Sequence, residues 1–180
     1  QRFLIIESTM AAAGDYIRHA RRDQESWAQG IILLDEFSSL GYIREVETAI
    51  NTFSGYGLTV WPVLTSLGAL KRHYPDSWEN FLANAAVRHF TGIQDEFTAS
   101  YVSSMIGDTT FVTTEGRKGE EQYQATPRRL LTPDEVRRGS ANHIFTFIEQ
   151  RPPIDFEKRP YYDMPDMVGR YDANPYYTGE

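Results

Sequence analysis

Cysteine is absent from the 180 residues, which excludes a disulfide framework, a zinc–thiolate site and a thiol nucleophile. Positive charge is also scarce: the net charge is -7, the wrong sign for a protein whose whole surface binds phosphates. No apolar run approaches the length of about 18 residues that a membrane span needs, and no signal peptide opens the chain. These absences leave the class of ordinary globular proteins, with any nucleic-acid contact confined to a local patch.

The composition predicts one folded domain. With 41% hydrophobic residues, a chain of this length buries about 70% of its unfolded surface around a single core. The sequence opens on Gln1 rather than methionine, so we expect it to be a piece of a longer protein.

Strand-like and helix-like segments alternate along the first half of the chain. Residues 2–6 form an apolar run of strand length, and residues 15–29 are typical of a helix or a loosely fixed connection. The unbroken aliphatic run from Ile31 to Leu34 predicts a central strand covered on both faces, and residues 58–64 predict a second buried strand. Between the two strands, apolar residues recur at helical spacing, namely Ile43, Val46, Ile50 and Phe53.

The alternation continues to residue 156. Residues 87–90 predict a short strand, and Asp95 can cap a helix with Phe97, Tyr101 and Met105 on one face. The sequence Thr132-Pro133-Asp134-Glu135 has the hydroxyl, proline and glutamate of a helix start. Short connections between alternating strands and helices predict an α/β domain over residues 1–156 with a mostly parallel sheet.

Two segments have little to bury. Residues 113–127 are rich in Gly, Glu, Gln and Thr and predict a mobile loop. Residues 157–180 are rich in Tyr and Pro and predict an extended tail.

The sharpest local feature is a pair of adjacent acids, Asp35 and Glu36, directly after the aliphatic run. Ligands of open α/β sheets bind at the carboxyl ends of the strands. In nucleotide hydrolases the first acid of such a pair holds Mg²⁺, usually through water, and the second orients or deprotonates the attacking water. The arrangement is that of a Walker B motif, although an apolar strand followed by two acids at a turn is also common in other proteins.

A Walker B motif needs a phosphate cradle as its partner. The glycine-rich loop that ends in Gly-Lys-Ser/Thr and surrounds the phosphates is nowhere in the chain, and none of the three lysines follows such a pattern: Lys71, Lys118 and Lys158. The sequence alone therefore cannot be a complete P-loop enzyme.

Four further residues are candidates for contacts with a nucleotide. Thr65 and Ser66 follow the second predicted strand, where their hydroxyls can sense a γ-phosphate; the alternative for Ser66 is a helix cap. Arg72 and Arg88 can act as arginine fingers across a subunit boundary, with surface salt bridges as the alternative.

A basic cluster lies late in the chain and is interrupted by Asp134 and Glu135. A solvated helix face is the favoured interpretation and a phosphate-binding patch the alternative. The four basic residues are Arg128, Arg129, Arg137 and Arg138.

Several ordered blocks of sequence resemble the TraG/TraD-type coupling proteins of conjugation and type IV secretion. They are Ile32-Leu33-Leu34-Asp35-Glu36-Phe37, Gly55-Tyr56-Gly57-Leu58, Ser66 through Ala85, Phe90 through Ser103, Leu130 through Val136 and Arg151-Pro152-Pro153-Ile154. Together they cover about residues 30 to 156, which is far more specific than the acid pair alone.

The resemblance implies the carboxyl-terminal part of a RecA-like P-loop NTPase core that lacks its P-loop half. It implies a hexameric motor, with ATP and Mg²⁺ as ligands, at the cytoplasmic face of the bacterial inner membrane. Such a motor brings relaxase-bound DNA or protein substrates of the relaxosome to the secretion channel, and a missing amino-terminal anchor would hold it to the membrane. Asp35 and Glu36 are then the Mg²⁺-associated and water-activating acids.

The sequence departs from the family pattern at two places. Thr65 stands where many relatives have glutamine, and Ser54 stands where some have arginine. These departures motivate an alternative function, a docking and oligomerisation module of the same system that hydrolyses nothing. A septal-translocase-like DNA pump is a further alternative, because it shares the RecA-like core.

Overall fold

The computed structural model describes residues 12–15, 30–115 and 122–172. The strand predicted over residues 2–6, and residues 16–29 of the following segment, lie outside this part of the chain.

A parallel pair of strands opens the main described range. The strand β1 (Gly30–Leu34) lies beside β2 (Leu58–Pro62), with Gly30 opposite Leu58 and Leu34 opposite Pro62. The helix α1 (Arg44–Thr52) forms the crossover between them, as the helical spacing predicted. It passes through a 3₁₀ turn into Gly57, whose φ of 73° is the left-handed conformation that glycine accepts without strain.

Only one face of this pair is covered by described residues. Ile32 and Val60 pack on the core, but Ile31 and Leu33 remain 67% and 59% exposed. The prediction that β1 is covered on both faces is therefore wrong within the described part of the chain. An aliphatic run without alternation cannot indicate which face lacks a covering layer, because both faces have the same composition.

The first core lies under the buried face of β1 and β2. Its centre is an aromatic group in which Tyr74 contacts Phe37 at 5.7 Å and Phe81 at 4.7 Å between ring centroids. Two short helices supply Tyr74 and Phe81. Tyr74 is the C-cap residue of α2 (Leu67–His73), and Phe81 lies in α3 (Trp78–Ala83). Phe37 is 1% exposed, so the chain that leaves β1 is anchored by burial.

The second core joins an antiparallel sheet to two helices. In this sheet β6 (His143–Ile148) is central, with β3 (Val87–Phe90) on one side and β7 (Ile154–Glu157) on the other. The two helices are α4 (Glu96–Ile106) and α5 (Pro133–Gly139). The predicted mostly parallel arrangement thus holds for β1 and β2, whereas the other described strands pair antiparallel.

Both helices of this core begin where their sequence predicts. The Asp95 side chain accepts a hydrogen bond from the Thr98 amide at 2.8 Å. Thr132 and Glu135 form a complete capping box in which each side chain accepts from the other residue's amide. Tyr101 and Met105 of the predicted apolar face pack partly buried against this core, whereas Phe97 is 39% exposed. Ala99 and Val102, which the prediction did not include, are fully buried.

Strands replace much of the predicted mobile loop over residues 113–127. Residues 113–115 end β4 (Asp108–Glu115), and residues 122–127 belong to β5 (Gln122–Arg129), which pairs antiparallel with β4. Pairing of the two strands satisfies their backbone groups whatever their side chains, so low hydrophobicity was a poor guide to the absence of strands here.

The predicted tail includes regular structure in its described part. Glu157 ends β7, and two 3₁₀ turns follow at Tyr161–Asp163 and Pro165–Met167. Residues 173–180 lie outside the described part. Across the described ranges, no helix has both the length and the apolar character that a bilayer crossing demands.

Tyr74 provides a test of the first core. Its hydroxyl accepts a hydrogen bond from the Ile43 amide at 3.0 Å and donates to the Ile43 carbonyl at 3.3 Å. Burial raises the pKa of Tyr74 from 10.0 to about 12. Because the folded protein then holds this proton more tightly than the unfolded chain does, the free energy of unfolding should fall between pH 10 and about 12.

Tyr74→Phe should remove this part of the pH dependence. At neutral pH it should lower the free energy of unfolding by about 1–3 kcal/mol, because the buried Ile43 amide loses its acceptor. Guanidinium unfolding followed by circular dichroism, from neutral pH upward, measures both effects. Tyr162→Phe is the matched control, since Tyr162 is 58% exposed. An identical pH profile for Tyr74→Phe and the unsubstituted chain would contradict the assignment.

Candidate functional site

Polar side chains gather where β1 and β2 end. Parallel strands bring their carboxyl ends to the same edge of a sheet, so the residues after Leu34 meet those after Pro62. The first group contributes Asp35 and Glu36, and the second contributes Thr65. The structure therefore places these three predicted site residues at one edge.

The acid pair forms a bulge in the parallel ladder. The Val63 amide donates to the Leu34 carbonyl at 2.9 Å, and the Val63 carbonyl accepts from the Phe37 amide, also at 2.9 Å. Asp35 and Glu36 are thus two residues opposite one. A bulge leaves the extra residue outside the regular pairing and turns its side chain in a new direction.

Glu36 has a left-handed backbone conformation, with φ 49° and ψ 35°. This conformation costs a residue other than glycine roughly 1–2 kcal/mol and persists only where the surroundings impose it. The imposing contacts are the Phe37–Val63 backbone bond and the burial of Phe37 directly after the bulge. Glycine would adopt this conformation without strain, so the structure holds a residue with a side chain here at a cost in stability.

The two carboxylates are available to a ligand. Asp35 accepts a hydrogen bond from the Glu36 amide at 2.9 Å through Oδ1, which orients the carboxylate. Both residues are exposed, and no ion pair among the described residues includes either of them. No group of three or more metal-ligating side chains occurs in the described ranges, so an ion at Asp35 would need water or phosphate oxygens as its other ligands.

The structure adds one residue that the sequence interpretation missed. The Ser38 and Thr65 hydroxyl oxygens lie 3.1 Å apart and form a hydrogen bond between the two strand ends. Ser38 follows Glu36 by two residues in the 3₁₀ turn Phe37–Leu40. The sequence does place Ser38 just after the acid pair, which could have made it a candidate. It does not indicate that Ser38 bonds to Thr65, which is 27 residues away.

Ser66 serves as the helix cap that the alternative interpretation described. Its side-chain oxygen accepts from the Ala69 amide at 3.1 Å at the start of α2. Ser54 is exposed in the 3₁₀ turn before Gly57, and its carbonyl accepts from the Gly57 amide at 3.2 Å.

The two candidate arginine fingers lie in different surroundings. Arg72 is exposed in the last turn of α2, and no described carboxylate forms an ion pair with it. Arg88 lies in β3, half-buried, and donates to the Tyr101 hydroxyl at 3.2 Å. Its Nε atom is buried and has no hydrogen-bond partner among the described residues. Arg88 therefore belongs to the second core rather than to the edge of β1 and β2.

The late arginine cluster and Lys71 do not form a free phosphate-binding patch. All four arginines of the late cluster pair with carboxylates, as in Arg128 with Glu135 at 2.8 Å and Arg138 with Asp134 at 2.7 Å. Lys71 lies against the rings of Trp78 and Phe97, at 5.3 and 5.2 Å from their centroids. Arg137 and Arg138 lie on α5, as the solvated helix face predicted, whereas Arg128 and Arg129 end β5, so that interpretation is wrong for these two. Their pairing does not favour the phosphate-binding alternative.

The strain at Glu36 can be measured as stability. Glu36→Gly should give a chain about 1 kcal/mol more stable than Glu36→Ala, because both lose the carboxylate but only glycine relaxes the left-handed backbone. Chemical denaturation of both variants measures the difference. The same pair of substitutions at Glu45, exposed in α1, should show the opposite order by about 1 kcal/mol. Equal stability of the two Glu36 variants would contradict the backbone assignment.

Curated relatives cover most of this chain. It is 35% identical over 140 residues to the protein VirD4 of Agrobacterium fabrum, a match that spans 73% of this chain and 21% of VirD4. It is 30% identical over 154 residues to the conjugal transfer protein TraG of Rhizobium radiobacter, spanning 80% of this chain and 24% of TraG. The chain therefore spans about a fifth to a quarter of these relatives' length.

Solved structures share the fold. The conjugative coupling protein TrwBdeltaN70, in its trigonal form with sulphate, matches 87% of this chain and 36% of its own, with a TM-score of 0.66 and 18% identity. TrwB in complex with ADP and Mg²⁺ matches 72% of this chain and 30% of its own, with a TM-score of 0.56 and 19% identity. The predicted fold class, part of an α/β core of the RecA-like type, is confirmed.

The family model described as type IV secretory system conjugative DNA transfer matches residues 13–177. It reaches from before β1 to beyond the last 3₁₀ turn, so it takes in both cores and the acid bulge. The resemblance to TraG/TraD-type coupling proteins is thereby confirmed. This chain belongs to the family of type IV secretory system proteins for conjugative DNA transfer.

Proposed function

We propose that this chain is part of an ATP-driven coupling protein, and that Asp35 and Glu36 act on the nucleotide. The observation that carries the proposal is the bulge at the carboxyl edge of β1 and β2, which holds Glu36 in a left-handed conformation. An exposed carboxylate at the ligand edge of a RecA-like sheet can orient or deprotonate a water beside a γ-phosphate.

Each residue of the edge has a distinct part in this proposal. Mg²⁺, when bound, neutralises charge on the phosphate oxygens. Asp35 would hold that ion through water, with the carboxylate oriented by the Glu36 amide. Glu36 would accept the proton of the attacking water. The Thr65 hydroxyl would detect the γ-phosphate, and Ser66 would hold the start of α2 beside it.

The phosphate cradle must come from residues outside these 180, because the sequence contains no glycine-rich loop that ends in Gly-Lys-Ser/Thr. TrwB has been solved in complex with ADP and Mg²⁺ and with nonhydrolysable nucleotide analogues. This supports nucleotide and Mg²⁺ binding by the full-length protein that contains this chain.

Family membership supports a cellular role in conjugative DNA transfer. We propose that the full-length protein recruits relaxase-bound DNA, or protein substrates, to a type IV secretion channel as a hexamer. It would act at the cytoplasmic face of the bacterial inner membrane, held there by an anchor outside these residues. The VirD4 and TraG relatives support this role, and the net charge of -7 means that DNA would be gripped by local or shared surfaces rather than by the whole chain.

Glu36→Gln tests the proposed chemistry. In the full-length protein it should reduce ATP turnover by at least about 100-fold, because a general base contributes on the order of 10²–10⁴ in rate. Binding of a nonhydrolysable ATP analogue should be almost unchanged, since the amide keeps the shape of the side chain. A phosphate-release assay and calorimetric titration measure the two effects.

Glu45→Gln on α1 is the matched control and should leave turnover unaltered. Unchanged turnover in Glu36→Gln would remove Glu36 from the mechanism. Absence of turnover in the unsubstituted protein, together with retention of secretion partners, would instead favour the docking and oligomerisation module.

Arg72 is the better of the two candidate arginine fingers, because it is exposed and lacks an ionic partner among the described residues. Arg72→Ala in the full-length protein should lower turnover by at least about 10³-fold with little change in stability. Arg88→Ala should mainly lower the melting temperature, since it removes the bond to Tyr101 within the second core. The reverse pattern would assign the finger to Arg88.

A further inference from the structure

We infer that Ser38 is a positioning residue for nucleotide sensing, which orients the Thr65 hydroxyl toward the terminal phosphate of a bound triphosphate. The inference rests on the proposed function and extends it to a residue outside the acid pair. Its basis is the 3.1 Å hydrogen bond that joins Ser38 Oγ to Thr65 Oγ1 across the ends of β1 and β2.

The position of Ser38 is fixed by the same contacts that fix the bulge. Ser38 immediately follows Phe37, whose side chain is 1% exposed and whose amide bonds to the Val63 carbonyl at 2.9 Å. Thr65 follows Val63 by two residues on the other strand end. The backbone on both sides of the hydroxyl pair is therefore held at Val63. The short distance between the two hydroxyls follows from the backbone hydrogen bonds at this edge of the sheet.

A bound phosphate would decide which hydroxyl of the pair donates and which accepts. Each hydroxyl has one proton to donate and can accept as well, and either residue can be the donor in the bond between them. A phosphate oxygen beside Thr65 can only accept. Its presence therefore favours the order in which Ser38 donates to Thr65 and Thr65 donates to the phosphate, and hydrogen bonds in such a chain strengthen one another.

A purely structural role explains the pair poorly. The bond is exposed to solvent. Each hydroxyl therefore gives up a hydrogen bond to water when it bonds to the other hydroxyl, and the net gain in stability is small. A triphosphate that covers the edge excludes water and makes the same bond stronger. The bond should therefore contribute more to triphosphate binding than to folding.

The neighbouring serines do not offer the same function. Ser66 Oγ accepts from the Ala69 amide. The Ser39 side chain has no hydrogen-bond partner among the described residues, although its amide donates to the Glu36 carbonyl at 2.8 Å. Ser39 is thus a matched control of the same type, adjacent in sequence and exposed.

The test is a double-mutant cycle in the full-length protein with Ser38→Ala, Thr65→Val and their combination. Calorimetric titration measures dissociation constants for a nonhydrolysable Mg²⁺–ATP analogue and for Mg²⁺–ADP. Ser38→Ala should weaken analogue binding by about 3- to 10-fold, the range expected for one hydrogen bond, and leave ADP binding within about twofold. Ser38→Thr should restore analogue binding, and Ser39→Ala should change neither constant.

The cycle separates two kinds of failure. In the combined variant, loss of Ser38 should add little to the effect of Thr65→Val, because the partner hydroxyl is already gone. Additive effects, or equal weakening of ADP and analogue, would overturn the role of Ser38 while nucleotide binding stands. Lack of any nucleotide binding by the unsubstituted protein would overturn the proposed function itself. Thermal unfolding of each variant without nucleotide should show changes of no more than a few degrees, and a large drop for Ser38→Ala would identify a structural role instead.

Discussion

The candidate site depends on the two backbone hydrogen bonds of Val63, which accommodate an extra residue in a parallel ladder. They place Asp35 and Glu36 opposite a single residue and leave Glu36 no extended conformation to adopt. The burial of Phe37 stabilises the fold and offsets the free energy of the left-handed conformation at Glu36. The exposed Glu36 carboxylate, the Ser38–Thr65 hydroxyl pair and the buried Phe37 ring thus all depend on one local constraint.

Both cores make contacts that position the residues at this edge of the sheet. The first core packs Phe37 against Tyr74 and Phe81, and Tyr74 in turn binds both backbone groups of Ile43 at the entry to α1. The helix α2 joins the two cores, because Leu70 packs in the first and Leu67 in the second, where the Leu67 amide donates to the Thr98 hydroxyl at 3.1 Å. The start of α2, which follows Thr65 directly, is therefore tied to both cores.

Local rules predicted the elements whose signals are local. Helix starts at Asp95 and Thr132 depend on side chains within three residues, and the structure confirms both. The hairpin of β4 and β5 was predicted as a mobile loop, although its strands are close in the sequence, because their polar composition gives no periodic apolar pattern. The exposed face of β1 was missed for the opposite reason, since a uniformly aliphatic strand does not indicate which side is covered.

The sequence by itself determined the family, the parallel strands around the acid pair and the absence of a phosphate-binding loop, because each depends on residue types in a contiguous order. Tertiary structure alone decided how those acids are presented. The left-handed conformation of Glu36 and the bond between Ser38 and Thr65 arise from contacts between segments 27 residues apart, which no local pattern encodes. Tertiary structure also distinguished Arg72 from Arg88. The sequence made both equal candidates for an arginine finger, but Arg72 is exposed and Arg88 is half-buried.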